Sequence, residues 1–323
     1  MVFYLSRRFV QTLLILFILS IAIYTMLGLM PGDPIELLIT ANPKVKAEDI
    51  VRLKKIYGLD RPIYIRYFKW FKQVVIHQDL GFSRVYKKPT TEILKGRITN
   101  TFKLMSAAFL LSLLIALPIG IYSALHHYSK LDFVISIFAF IGISIPSFWL
   151  GIMLMTFFSE KLRWLPAGGI QTIGVDNLAD KLRYLILPVL SISVQSIGYW
   201  VRYTRSSMLE VLHKDYIRTA RAKGLDEEVV LFKHALRNAL IPIITILALS
   251  LPDLVSGAVI TEMIFSWPGM GRLLLDSVLS TDYYVAMIAF LFLAGLTLLS
   301  NFVADILYAF VDPRIRISGH GQS

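Results

Sequence analysis

The sequence predicts an all-α polytopic membrane protein with six transmembrane helices and a helical hairpin between the fourth and the fifth. Three observations point there. First, 56% of the 323 residues are hydrophobic and only 17% are charged, more apolar surface than one soluble core buries, so lipid is the natural solvent for the excess. Second, six stretches reach the roughly 20 mostly apolar residues that a spanning helix needs. Third, the basic residues behind the net charge of +11 lie between those stretches and not on a compact domain. Such charges set topology and meet lipid headgroups, which argues against a nucleic-acid partner. The chain has no cysteine, so disulfides and cysteine-ligated metal or iron–sulfur sites are excluded.

The six stretches fall at 9–29, 103–122, 133–158, 184–201, 240–264 and 284–310, the fourth being the shortest. The first follows Arg7 and Arg8 and ends at Met30-Pro31-Gly32-Asp33-Pro34. It is too long for a signal-peptide core and lacks a small-residue cleavage site, so it reads as a retained helix. The chain then divides into 1–29, an extracytoplasmic loop or cap 30–102, a five-helix core 103–310 containing the connecting loop 202–239, and a tail 311–323. With the N-terminus inside, the segments 1–8, 123–132, 202–239 and 311–323 hold thirteen Lys and Arg. The short outer loops hold five: Lys161, Arg163, Lys181, Arg183 and Arg272. That bias puts both termini in the cytoplasm, and the basic first loop does not count against it because long loops are translocated largely regardless of charge. Within that loop Ile50, Leu53, Lys54 and Tyr57 have helical spacing, and Tyr64, Tyr67, Phe68, Trp70 and Phe71 add aromatics. A partly helical segment follows, at the interface or folded back on the bundle.

The loop 202–239 carries the most information. Asp215-Tyr-Ile-Arg-Thr-Ala-Arg-Ala-Lys-Gly224 reads as a short helix with an acidic start and a glycine just past its end. On it Tyr216 and Ala220 are four apart and predicted to share a face, while Lys214, Arg218 and Arg221 form a basic stripe. Asp226, Glu227 and Glu228 suit the start of a second helix, which runs amphipathically into the fifth span.

Taken whole, this string resembles the EAA loop of binding-protein-dependent ABC importers. The match is specific at Ala220, at Gly224 and in the hydrophobic helix that follows. Arg218 replaces the motif's usual glutamate, and Arg237 replaces its proline. Those departures look like the peptide branch of the family, with its Tyr216-Ile-Arg-Thr-Ala-Arg-Ala-Lys-Gly224 and His234-Ala-Leu-Arg-Asn-Ala239 forms. Further motifs resemble the B-type permease of oligopeptide and dipeptide importers: Pro31-Gly-Asp-Pro34, Tyr57-Gly-Leu-Asp-Arg-Pro62, Asp79-Leu-Gly-Phe-Ser83 and Asn100-Thr101. So do Ser144-Ile-Pro-Ser-Phe-Trp149, Leu165-Pro-Ala-Gly-Gly169, Glu262-Met-Ile-Phe-Ser-Trp-Pro-Gly-Met-Gly271 and Asp312-Pro-Arg-Ile-Arg316.

The resemblance implies a type I importer permease in the cell (inner) membrane, paired with a second, related permease as a heterodimer. It also implies two cytoplasmic ATPase subunits and an extracytoplasmic solute-binding protein that delivers the solute. The coupling helix would carry Tyr216, Arg218, Ala220, Ala222 and Gly224, and the cargo would be peptides, with nickel or another small solute as the alternative. No Gly-x-x-x-x-Gly-Lys-Ser/Thr phosphate loop occurs, so this chain is expected to bind no nucleotide by itself. No cofactor or metal and no catalytic arrangement is expected; the chain reads as a transporter part and not an enzyme.

Ionisable groups inside spans are costly and candidate functional residues. Asp253, after Pro252, is expected near the middle of the fifth span, holding a peptide ammonium or pairing structurally. Glu262 is expected near its outer end, on the translocation path. Asp305 is read as an interfacial carboxylate, Gln195 and Asn301 as interhelical hydrogen-bond partners, and His126-His127 as solvated. The basic stripe is left open between acidic ATPase surface and lipid headgroups.

Overall fold

The computed structural model describes residues 2–29, 61–256 and 258–311. The motifs at 31–34 and 312–316 and the helical spacing at Ile50–Tyr57 lie outside the described residues.

Helix α1 spans Val2–Gly28 and α2 Ile63–Ile76. α3 is Thr90–Leu125, α4 Lys130–Ser144, and α5 Ser147–Leu154, continued by a π-helical turn at Met155–Lys161. α6 is Leu178–Leu212 and α7 Asp215–Ala222. The short α8, Glu227–Val229, passes through a π-helical stretch at Val230–Leu236 into α9, Arg237–Leu249. α10 (Asp253–Ser256), α11 (Val259–Ile264), α12 (Met270–Leu279) and α13 (Tyr283–Val311) complete the order.

Five of these segments are long and apolar enough to cross a membrane: Ser6–Gly28, Thr90–Leu125, Leu178–Leu212, Glu227–Leu249 and Tyr283–Ile306. The third predicted span is not one straight helix. α4 and the α5 unit meet at an angle of 96°, so six crossings result only if that bent pair counts as one. Pro146 explains the break: it lacks a donor and forces Ile145 into an extended conformation, φ −80° and ψ 120°. The fifth span is also corrected. Its helix stops at Leu249 and turns through Ser250–Pro252, so the expected run 240–264 is not continuous. Conversely α3 begins at Thr90 and not at 103, and α6 covers Leu178–Leu212 and not 184–201. Their polar ends extend the helices beyond the apolar window, shortening both the loop 30–102 and the loop 202–239.

α3 and α6 form the centre of the bundle. Small residues let backbones approach, as expected where lipid supplies no hydrophobic drive between helices. A Cβ at Gly198 of α6 would lie 2.5 Å from the Ala139 carbonyl oxygen of α4. The Ser193 hydroxyl donates across the α3–α6 contact to the Ala108 carbonyl at 3.1 Å. Gln195 donates from α6 to the Ile143 carbonyl at 3.4 Å, an interhelical contact as expected, whereas Asn301 is exposed. α1 lies along α13, joined by the Arg8–Asp305 pair at 3.4 Å and the Phe9–Phe302 edge contact. α2 folds back on α1: Tyr67 and Trp70 are buried, with the Tyr67 and Ser20 hydroxyls 2.7 Å apart. Tyr64 and Phe68 stay exposed.

Candidate coupling hairpin and the buried loop anchor

α7 is rooted by two residues. Ile217 is fully buried and Ala220 nearly so, against Ala124 of α3, Met208 and Val211 of α6, and Val230 and Ala235 of the π-helical stretch. Three residues apart, they share a face. The predicted pairing of Tyr216 with Ala220 is therefore corrected: Tyr216 is 44% exposed and Ile217 is Ala220's partner in the buried face. Arg218, Ala222 and Gly224 are exposed with Tyr216, and every residue from Arg221 to Val229 is exposed. The helix ends where predicted. Gly224 has φ +76°, its N–H donates to the Arg221 carbonyl at 3.0 Å, and a Cβ there would meet nothing within 4 Å. Glycine enters this left-handed region at little cost.

The basic stripe is matched from within the chain. Lys214 meets Glu210 at 3.0 Å, Arg218 meets Asp215 at 3.4 Å, and Arg221 makes a bidentate contact with Glu227 at 2.6 and 3.1 Å. These pairs are exposed and worth little to stability.

Beside the hairpin root lies a cluster that sequence reasoning missed. Asp132, 4% exposed, accepts from Arg205 Nε at 2.7 Å, Arg205 Nη2 at 2.8 Å and the Tyr128 N–H at 3.0 Å. The Ser123 hydroxyl donates to the same carboxylate. One side chain thus ties the end of α3, the α3–α4 turn and α6. Its only local signal is Ser129, which caps α4 by accepting the Asp132 N–H at 3.1 Å.

At the opposite end of the bundle the two predicted path carboxylates part. Asp253 stands at the start of α10, exposed and past the helix break, not in the middle of a span. Glu262 is 0% exposed. Its Oε1 accepts the Thr101 hydroxyl at 2.7 Å and its Oε2 the Arg272 N–H at 2.9 Å. Thr101 Oγ1 in turn accepts the Met270 N–H at 2.7 Å. The Trp267 indole N–H donates to the Asn100 carbonyl, and the Asn100 amide donates to the Pro268 carbonyl, both at 3.0 Å. A Cβ at Gly269 would fall 2.2 Å from Glu262 Oε1, so only glycine lets the loop close over the carboxylate. Glu262 is an anchor for the 265–272 loop. Nearby, buried Asp282 accepts the Ser83 hydroxyl at 2.5 Å and docks the 82–86 turn.

A bundle of apolar crossings with an exposed helical hairpin rooted in its central pair defines a multi-pass membrane protein of the permease class. The chain belongs to the family described as binding-protein-dependent transport system inner membrane component, whose model matches residues 116–317 and whose N-terminal companion model matches 1–93. It is a transport component and not an enzyme. It is 43% identical over 314 residues to the oligopeptide transport system permease protein AppB of Bacillus subtilis, covering 97% of this chain and 98% of that one. It is 38% identical to a putative peptide permease protein of Brucella suis, covering 98% of this chain and 99% of that one. It is 37% identical to the glutathione transport system permease protein GsiC of Salmonella choleraesuis, covering 97% and 98%. Among solved structures, the MetNI methionine ABC transporter in an inward-facing conformation aligns with a TM-score of 0.55 at 18% identity, covering 69% of this chain and 97% of that chain. That likeness bears on fold alone: the type I importer permease fold.

Proposed function

We propose that this chain is the membrane-spanning permease subunit of an ATP-binding-cassette importer that moves di- or oligopeptides into the cytoplasm. It works in the cell (inner) membrane with both termini cytoplasmic. Its partners are a second, homologous permease, two cytoplasmic ATPase subunits and an extracytoplasmic solute-binding protein. The observation that carries this reading is the α7 hairpin: its tip is wholly exposed, while Ile217 and Ala220 root it on α3 and α6. Such an element can receive a partner's movement and pass it to the two central helices. Tyr216, Arg218, Ala222 and Gly224 form the docking face, and Ala220 is part of the root. The names of the near-full-length relatives support peptide cargo. Glu262 acts as a positioning residue for its loop, and Asp253 remains the path candidate.

Uptake of a labelled, hydrolysis-resistant tripeptide by cells with and without the gene tests the assignment. Loss on deletion and return with the intact gene is the expected result. Unchanged uptake, with no second peptide importer present, would move the cargo to another solute, nickel being the first to try.

A further inference from the structure

At the end of the bundle opposite the hairpin, a cleft of about 570 Å³ opens between the π-helical turn after α5, the following loop and the start of α6. Its walls carry charges of both signs: Glu160, Arg163, Asp180 and Arg183. Two of these four are engaged in building the walls. Asp180 accepts the Thr172 N–H at 2.6 Å and the Thr172 hydroxyl at 2.9 Å, and Arg183 donates to the Trp164 carbonyl at 3.0 Å. The side chains of Glu160 and Arg163 make no hydrogen bond or ion pair among the described residues. Both are exposed to the cleft side of the surface.

Three further features mark the place. Arg163 holds φ +55°, a left-handed conformation that non-glycine residues seldom adopt and that recurs where a side chain must be aimed. Glu160 lies on a π-helical turn, a distortion common at functional sites. The Ser159 hydroxyl, also on the wall, is buried without a hydrogen-bond partner. A buried hydroxyl left so costs free energy unless something arrives to use it.

We propose that this cleft is an entry subsite for a zwitterionic solute, with Glu160 receiving the ammonium terminus and Arg163 the carboxylate terminus of a short peptide. The inference rests on the peptide-import reading above. The volume suits a drug-sized or short-peptide ligand. A guanidinium matches a terminal carboxylate in geometry as well as charge, and Ser159 is placed to serve a backbone amide. Two residues beyond the lining residue Ala167, the Gly169 N–H donates to the Phe265 carbonyl at 2.8 Å, which joins this loop to the one that Glu262 anchors.

The test uses the assembled importer in membranes, with Glu160→Gln, Arg163→Gln and the neighbouring non-lining Lys161→Gln. Uptake of a labelled tripeptide and ATP turnover driven by the loaded solute-binding protein are both measured, at matched membrane levels of the permease. The expected result is that E160Q and R163Q each slow uptake about fivefold, as an exposed charge contact allows, with a much smaller change in ATP turnover, while K161Q matches wild type. Unchanged uptake in E160Q and R163Q overturns the subsite. A parallel loss of uptake and ATP turnover also overturns it, assigning the cleft to contact with the binding protein. If the wild type itself imports no peptide, the peptide reading fails and takes the subsite with it.

Discussion

Glu262 shows what a single buried carboxylate does in this fold. Both of its oxygens accept, one from a hydroxyl of α3 and one from the backbone of α12. Glu262→Gln keeps the shape but turns one end into a donor, so either the Arg272 N–H or the Thr101 hydroxyl proton loses the acceptor it has among the described residues. Leaving a buried polar group unmatched costs about 1–3 kcal/mol, so a lower thermal midpoint in detergent, with tripeptide uptake reduced in proportion to folded protein, is expected. A normal midpoint with abolished uptake would instead put Glu262 in contact with solute. None of this was readable from the sequence. Glu262 stood out as an ionisable residue near a span end, but Thr101 lies 161 residues away in the chain, and no local pattern announces such a pairing. Asp132 and Arg205 are the same case, 73 residues apart. Ile217 was missed for a different reason. In a helix as short as α7, one residue of phase decides which side chain is buried, and the four-residue spacing of Tyr216 and Ala220 does not show that Ile217 fills the inner position.

At the scale of elements, hydropathy located five spanning helices because lipid demands continuous apolar sequence and a closed backbone. It failed where proline intervened. The bend at Ile145-Pro146 and the stop before Pro252 both sit inside stretches that are apolar on average, and an average over some 20 residues does not register a local break. The hairpin was legible because its cues are local: acidic residues at helix starts and a glycine at a helix end. Gly224→Asp tests it. Aspartate tolerates positive φ better than most residues, so the fold and membrane level should persist while a charge enters the proposed docking face. Burying that charge against a partner would cost about 2 kcal/mol or more, and both uptake and solute-stimulated ATP turnover are expected to fall at least about tenfold. Wild-type values for both would remove Gly224 from the docking face. Arg205→Gln probes the neighbouring tie. Asp132 is buried and Arg205 partly exposed, so removing the guanidinium strands a buried carboxylate at a cost of up to about 3–5 kcal/mol. The single variant should be markedly less heat-stable than Arg205→Gln combined with Asp132→Asn, and equal losses would show that the pair is not energetically coupled.

At the scale of the whole molecule, α3 joins the two places where the chain is most tightly organised. Thr101 holds the Glu262 loop at one end, and Ala124 packs under the hairpin at the other. The 23 residue steps from Thr101 to Ala124 correspond to about 35 Å of helix, close to the thickness of a bilayer's hydrocarbon core. A rod of that length is a lever. Tilting its hairpin end by about 5° swings Thr101 by about 3 Å, roughly the length of the hydrogen bond it makes. Pro118, inside the helix and six residues from Ala124, removes one backbone donor and is where that lever is most easily bent. The stiffness of α3 on the hairpin side of Pro118 therefore sets how much of any push from below reaches the far face, and how much is spent in bending.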